Sequence, residues 1–339
     1  MLTDDNNLPD QKQIEQLVHQ VAALHRAKKE IIVVSSGAVG AGMGALGLKK
    51  RPTPLPKLQA CAALGQSQLV ATYQEAFARK GILTAQVLLT HEDLKDHDRH
   101  LNARNTLATL MAEGIVPIVN ENDAVSYTEL KFGDNDALSA LVASLLPVDL
   151  LIILTTADGV IKDFGTPQAQ RLSVIEKIDR QIEALARGTQ SITATGGMTT
   201  KIQAAKIATR SGIPTLIGSG RKKGILKKML AGADEGTLIL PSAAKLRGRK
   251  RWIAFFHHPD GQLVVDDGAK AALRKNGKSL LAKGVVRIEG EFQNGDIASI
   301  CDADGTEFGR GMVSFDATEF REQRLQKDVL VHRNNLVIL

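Results

Sequence analysis

The chain has 339 residues, long for one domain and comfortable for two. Hydrophobic residues make up 43% and charged residues 24%, a globular balance, and no stretch approaches the ~18 apolar residues of a helical membrane span. The net charge of +6 raises the question of nucleic acid, yet residues 260–339 hold 11 basic and 13 acidic residues, a net of −2, so the C-terminal part is no basic platform.

The first residues, MLTDDNNLPDQKQ, are acidic and polar and do not read as a signal peptide. The two cysteines, Cys61 and Cys301, cannot build a disulfide framework or a metal cluster. They read as buried hydrophobes in a reducing cytosol, so a cytoplasmic location is expected.

In chain order, the spacing of Ile14, Leu17, Val18, Val21 and Leu24 predicts an amphipathic helix over 11–29. The β-branched run 31–34 predicts a buried strand that stops at Ser35-Ser36-Gly37. Helices are expected over 57–80, 99–113, 136–146 and 198–211, and strands over 87–89, 115–119, 150–154 and 214–217. Short apolar strands alternating with longer helices indicate an α/β fold, a three-layer and mostly parallel sheet. The pattern changes near residue 250. Short strands broken by Gly and Asp turns predict a small β-barrel-like domain. The expected domains are 1–250 and 258–335.

In open parallel sheets ligands sit beyond the carboxyl ends of the strands. Four such ends carry polar or glycine-rich sequence. Ser35-Ser36-Gly37-Ala38-Val39-Gly40-Ala41-Gly42 lets backbone N–H groups approach an anion, or is a tight turn with no ligand. Asn120-Glu121-Asn122-Asp123 is a solvated loop or, with Gly133-Asp134-Asn135-Asp136, a set of partners for an ammonium group. Asp134 or Asn135 could equally cap a helix. Thr195-Gly196-Gly197-Met198-Thr199-Thr200-Lys201 is a phosphate loop without Walker spacing, or a glycine-rich helix start with a surface lysine. His91, His97 and His100 read as part of a charged turn and helix start, not a metal set. The basic runs 221–228 and 245–251 read as solvated surface or linker, or as phosphate contacts.

The segments VSSGAVGAG, LNARNTL, PIVNENDAV, FGDNDALSAL, LIILTTADG and TATGGMTTKIQAA, in this order, resemble the glutamate 5-kinases of the amino acid kinase family. RKRWIAFF, VVDDGAKAAL, KSLLAKGV, GDIASI and GRGMVS resemble the PUA domain that follows the kinase domain there. The resemblance implies an ATP-dependent kinase of the glutamate side-chain carboxylate, with ATP and Mg²⁺ as cofactors and γ-glutamyl phosphate, a precursor of proline, as product. It implies that Ser36, Asp123 and Asn135 bind glutamate. Thr155, Thr156, Thr195, Gly196, Gly197, Met198, Thr199, Thr200 and Lys201 would bind ATP, with Lys201 catalytic and no resident metal ligands. It also implies a homo-oligomer and a downstream glutamyl phosphate reductase as partner.

Two departures stand out. The family's Thr-Asp after the 150–154 strand is Thr155-Thr156 here, which affects contacts near the base or ribose. The family's first strand, with its Lys-x-Gly-[Ser/Thr] motif, has no counterpart. The expectation is a natural start upstream of Met1, and poor folding with little activity for the chain as given. An acetylglutamate or aspartate kinase, an RNA-binding protein and an inactive remnant are the alternative readings. The NENDAV–GDND pair and the net −2 of residues 260–339 argue against the first two.

Overall fold

The computed structural model describes residues 10–125, 134–187, 197–242, 246, 248–256, 259–322 and 329–339. The chain divides into two compact units, Met1–Lys245 and Leu246–Leu339.

The first unit runs α1 (Gln11–Arg26), β1 (Val33–Val34), α2 (Ala38–Ala45), α3 (Leu55–Ala78), β2 (Thr84–Leu89), α4 (His91–Lys95), α5 (His97–Ala112) and β3 (Val116–Glu121). It continues with α6 (Asp134–Leu145), β4 (Leu151–Thr155), β5 (Ile161–Lys162), β6 (Gln170–Arg171), β7 (Val174–Ile175), α7 (Arg180–Arg187), α8 (Met198–Arg210), β8 (Thr215–Ser219), α9 (Ile225–Leu230) and β9 (Thr237–Ile239). The main strands form two sheets, ordered β1-β3-β2 and β4-β8-β9-β7. Every pairing in them is parallel except β8 with β9. Among the described residues, β1 and β4 are both sheet edges, and α6 packs against both.

The period of two along each strand sorts residues into two cores. Ile152, Leu154 and Leu216 face a cluster with Ile14 and Val18 of α1, Tyr73 and Phe77 of α3, and Met229 of α9. Ile153 and Ile217 face the opposite cluster, with Ala140 of α6 and Ile202, Ala205 and Ala208 of α8. Helices therefore cover both faces, and the strands read as continuous apolar runs.

Local signals explain the element ends. Asp10 caps α1 by accepting from the Gln13 N–H at 3.1 Å. Pro54 and Pro56 set the start of α3, two residues before the apolar pattern reveals it. Thr90 and Asp93 form a reciprocal capping box for α4, and Asp96 caps α5. The histidine-rich segment is thus a pair of capped helix starts. The run 221–228 leads into α9, whose Ile225, Leu226 and Met229 are buried while Lys227 and Lys228 stay exposed.

The second unit contains α10 (Arg249–Phe255), β10 (Gly261–Val265), α11 (Asp267–Asn276), β11 (Leu280–Leu281), β12 (Val285–Gly290), β13 (Ile297–Cys301), β14 (Glu307–Met312), α12 (Ala317–Arg321), β15 (Val329–Val331) and β16 (Leu336–Ile338). A five-stranded sheet ordered β12-β10-β13-β14-β16 and a two-stranded β11-β15 ladder enclose a core of Leu263, Ile300, Phe308, Phe315 and Leu330. The last three residues of the run 245–251 open α10, which is anchored where Arg310 donates to the Ala254 carbonyl at 3.0 Å.

Candidate active site

The site lies at the carboxyl ends of the strands. Ser35 continues β1, donating its N–H to the Val119 carbonyl at 2.8 Å. Its hydroxyl is buried and donates to the Tyr73 hydroxyl at 3.2 Å. Burial pushes the Tyr73 phenol up to about 12, with the Ser35 hydrogen bond acting the other way. Of the two serines, then, Ser35 serves the fold and Ser36 is the exposed one. Gly37 follows with φ 106°, a left-handed conformation that favours glycine, and the chain turns directly into α2.

Helix α2 lies unusually close to α3. A Cβ on Gly65 would sit 1.9 Å from the Ala38 carbonyl oxygen and 2.3 Å from the Gly42 nitrogen. The small residues of the GAVGAG run are therefore used for helix packing as well as for the turn.

Strand β3 ends in Asn120 and Glu121, both buried. Asn120 Oδ1 accepts from the Glu121 N–H at 2.9 Å, and Asn120 Nδ2 donates to Gln66 Oε1 of α3 at 2.7 Å. Asp123 follows in a half-buried turn. Arg51, from the α2–α3 connection, lies within its electrostatic reach: burial pushes the Arg51 guanidinium below its ordinary value, and the Asp123 charge opposes that.

Helix α6 brings Asn135 and Asp136 to the same region by packing on β3 and β4. Asn135 Oδ1 is buried with no hydrogen-bond partner among the described residues. Asp136 Oδ2 accepts from Lys201 Nζ at 2.9 Å and from Thr200 Oγ1 at 2.7 Å. The Lys201 and Asp136 side chains are only 10% and 17% exposed. Lys201 sits in the first turn of α8, behind Gly197 and Met198, where the helix's unpaired N–H groups and positive end favour anions. Thr199 Oγ1 donates to the Ala186 carbonyl at 3.2 Å, which ties this turn to α7. Thr195 and Gly196 lie outside the described residues.

Thr155 ends β4 beside Ser219 of β8, and its carbonyl accepts from the Gly220 N–H at 2.8 Å. Thr156 and Asp158 are exposed in the loop beyond. Lys222 reaches Asp158 at 3.2 Å and Glu235 at 2.8 Å. One lysine of the basic run is thus tied beside the threonines expected to meet the nucleotide.

The amino acid kinase family model matches residues 1–219, and the PUA domain model matches residues 261–333. A glutamate 5-kinase of Geobacter sulfurreducens is 44% identical, over 100% of this chain and 95% of that protein. One from Moorella thermoacetica is 45% identical, over 96% of this chain and 90% of that one. The chain belongs to the glutamate 5-kinases of the amino acid kinase family. A solved carbamate kinase from Giardia lamblia bound to AMP-PNP aligns at 19% identity with a TM-score of 0.49, over 68% of this chain and 90% of that one.

Within this family frame, three residues of the site were not singled out from the sequence. Asp136 carries the strongest contacts and was visible only as part of a GDND cluster. Arg51 sits in a connection with no motif. Gln66 lies inside a long helix, where only its burial at 9% exposure marks it as unusual for a polar residue.

Proposed function

We propose that the chain transfers the γ-phosphoryl group of ATP to the side-chain carboxylate of L-glutamate, giving γ-glutamyl phosphate as the first step of proline biosynthesis. The observation that carries this reading is the Lys201–Asp136 ion pair. It joins the start of α8 to the start of α6 and sets a fixed cation next to Asn135, beyond the strand ends.

The glutamate carboxylate is ionised at neutral pH, since its ordinary pKa is about 4.3. No general base is needed. The obstacle is the approach of two anions, so catalysis rests on positioning and charge neutralisation. Asp123 and Asn135 Oδ1 suit the α-ammonium, and the Ser36-Gly37 turn offers donors for a carboxylate. The first turn of α8 and Lys201 face the phosphates. Asp136 holds Lys201 in one geometry, so its charge is already oriented when the γ-phosphoryl group arrives. A carboxylate oxygen forms the new bond to phosphorus as the bridging oxygen departs with ADP.

Mg²⁺ fits this site as a companion of the nucleotide. Among the described residues no group of three or more His, Cys, Asp or Glu could hold a metal. Mg²⁺ commonly uses few protein carboxylates and many phosphate and water oxygens. It would supply charge neutralisation on the phosphates. Of the family's Thr-Asp, Thr155 and Thr156 stand here, with hydroxyls in place of a carboxylate near the ribose or base.

An acyl phosphate hydrolyses readily, so a reductase that consumes it fits as the next enzyme. Both cysteines are free and buried, in keeping with a reducing cytoplasm. Among the described residues no helix is long and apolar enough to cross a membrane. The test is hydroxylamine trapping of the product. Glutamate-dependent hydroxamate with ATP is expected. Equal or greater hydroxamate from N-acetylglutamate would defeat the reading.

A further inference from the structure

Gln66 lies where α3, the first turn of α2 and the end of β3 meet. Its neighbour Gly65 is packed against the Ala38 carbonyl, and its own side chain reaches Asn120. The hydrogen bonds fix the orientation of both carboxamides. Asn120 Oδ1 must be the oxygen, because it accepts the Glu121 backbone N–H at 2.9 Å. Asn120 Nδ2 is then the donor to Gln66 at 2.7 Å, and the atom of Gln66 that receives it is Oε1. The remaining atom, Gln66 Nε2, carries two N–H bonds. It is buried and has no hydrogen-bond partner among the described residues.

A buried N–H donor without an acceptor costs stability, and native proteins rarely keep one without a use. Here the unsatisfied donor has a counterpart. Asn135 Oδ1 is a buried acceptor, likewise without a partner among the described residues. One surplus donor and one surplus acceptor near the same strand ends match a zwitterion, whose carboxylate needs N–H groups and whose ammonium needs oxygen.

We propose that Gln66 is a substrate-binding residue: Nε2 donates to a carboxylate oxygen of the bound amino acid, while Oε1 holds Asn120 in register. This rests on the glutamate kinase reading above. Both oxygens of a carboxylate at position 66 could still accept from Asn120 Nδ2, but neither could donate to the substrate. Gln66→Glu therefore separates the two roles of the side chain.

The experiment measures hydroxamate formation by the full chain and follows thermal unfolding with and without each substrate. For Gln66→Glu the KM for glutamate is expected to rise about 10- to 100-fold, with kcat and the KM for ATP changing by no more than about twofold. The thermal shift produced by glutamate should vanish and that produced by ATP persist. A glutamate KM equal to wild type would overturn the proposal, because it would leave Gln66 only the Asn120 contact. Should Gln66→Glu not fold, Gln66→Met carries the test. A raised glutamate KM with an unchanged ATP KM supports the assignment, and an unchanged glutamate KM overturns it. If wild type itself makes no hydroxamate from glutamate, the kinase reading fails, a result distinct from a defect confined to the variants.

Discussion

Lys201 Nζ lies 2.9 Å from Asp136 Oδ2 across the α6–α8 interface, with both side chains largely shielded from water. Removing one member of such a pair leaves a buried charge without its partner. Lys201→Met is expected to cost about 3 kcal/mol of stability in urea unfolding and to lower kcat by about 10²–10³-fold. Asp136→Asn keeps the shape but leaves the buried Lys201 charge without its partner, so both stability and kcat should fall. Wild-type turnover in Lys201→Met would remove Lys201 from the chemistry, and in Asp136→Asn it would remove the orienting role of Asp136.

In the proposed reaction Asp123 is the carboxylate that meets the substrate's ammonium. Asp123→Asn is expected to raise the KM for glutamate about tenfold or more, since a charge-assisted hydrogen bond becomes a neutral one. The KM for ATP should stay the same. Steady-state kinetics with each substrate varied separately decide this. An equal rise in both constants would point to general damage instead.

Gly65 has no room for a side chain. The added Cβ of Gly65→Ala would lie 1.9 Å from the Ala38 carbonyl oxygen, so α2 and α3 must separate. Overpacking of this kind costs about 1–3 kcal/mol. A lower Tm is expected, together with weaker glutamate binding, because the Ser36-Gly37 turn opens α2. Unchanged Tm would show that the helices separate freely.

The second unit should be acid-sensitive. Burial alone would push Glu307 up, but hydrogen bonds from Arg310 and Ser299 outweigh it and hold the carboxyl below its ordinary value. Asp302 is held down mainly by Lys270. A carboxylate with a lowered folded pKa contributes stability above its unfolded value, about 4, and that contribution is lost as the pH falls through the folded value. The stability gap between wild type and Arg310→Met should therefore be widest near neutral pH and close toward about pH 3. Trp252 is the sole tryptophan and lies in α10 of this unit, so its fluorescence reports the transition. A gap that widened on acidification would contradict the assignment.

Most of the fold was legible because strand and helix periods are local properties of the chain. The apolar runs at 115–119 and 150–154 became β3 and β4, and the spacing from Ile14 to Leu24 became α1. Elements marked by weak local signals were not. Helix α2 is built from small residues chosen for close packing on α3, and they look like a loop. The short strands β7 and β9 take their identity from pairing, β7 with β9 and β9 also with β8. The strand expected over 31–34 is paired only at Val33 and Val34, since β3 is its one neighbour among the described residues.

The sequence by itself determined the class of fold, the family and the group of loops that follow the strands, because motifs and periodicity are written in consecutive residues. Only the tertiary structure decided which polar groups serve each other. Lys201 with Asp136, and Gln66 with Asn120, are separated by 65 and 54 positions. Contacts at such distances along the chain exist only once burial has brought the helices onto the strand ends, and desolvation there decides which donors and acceptors must find partners.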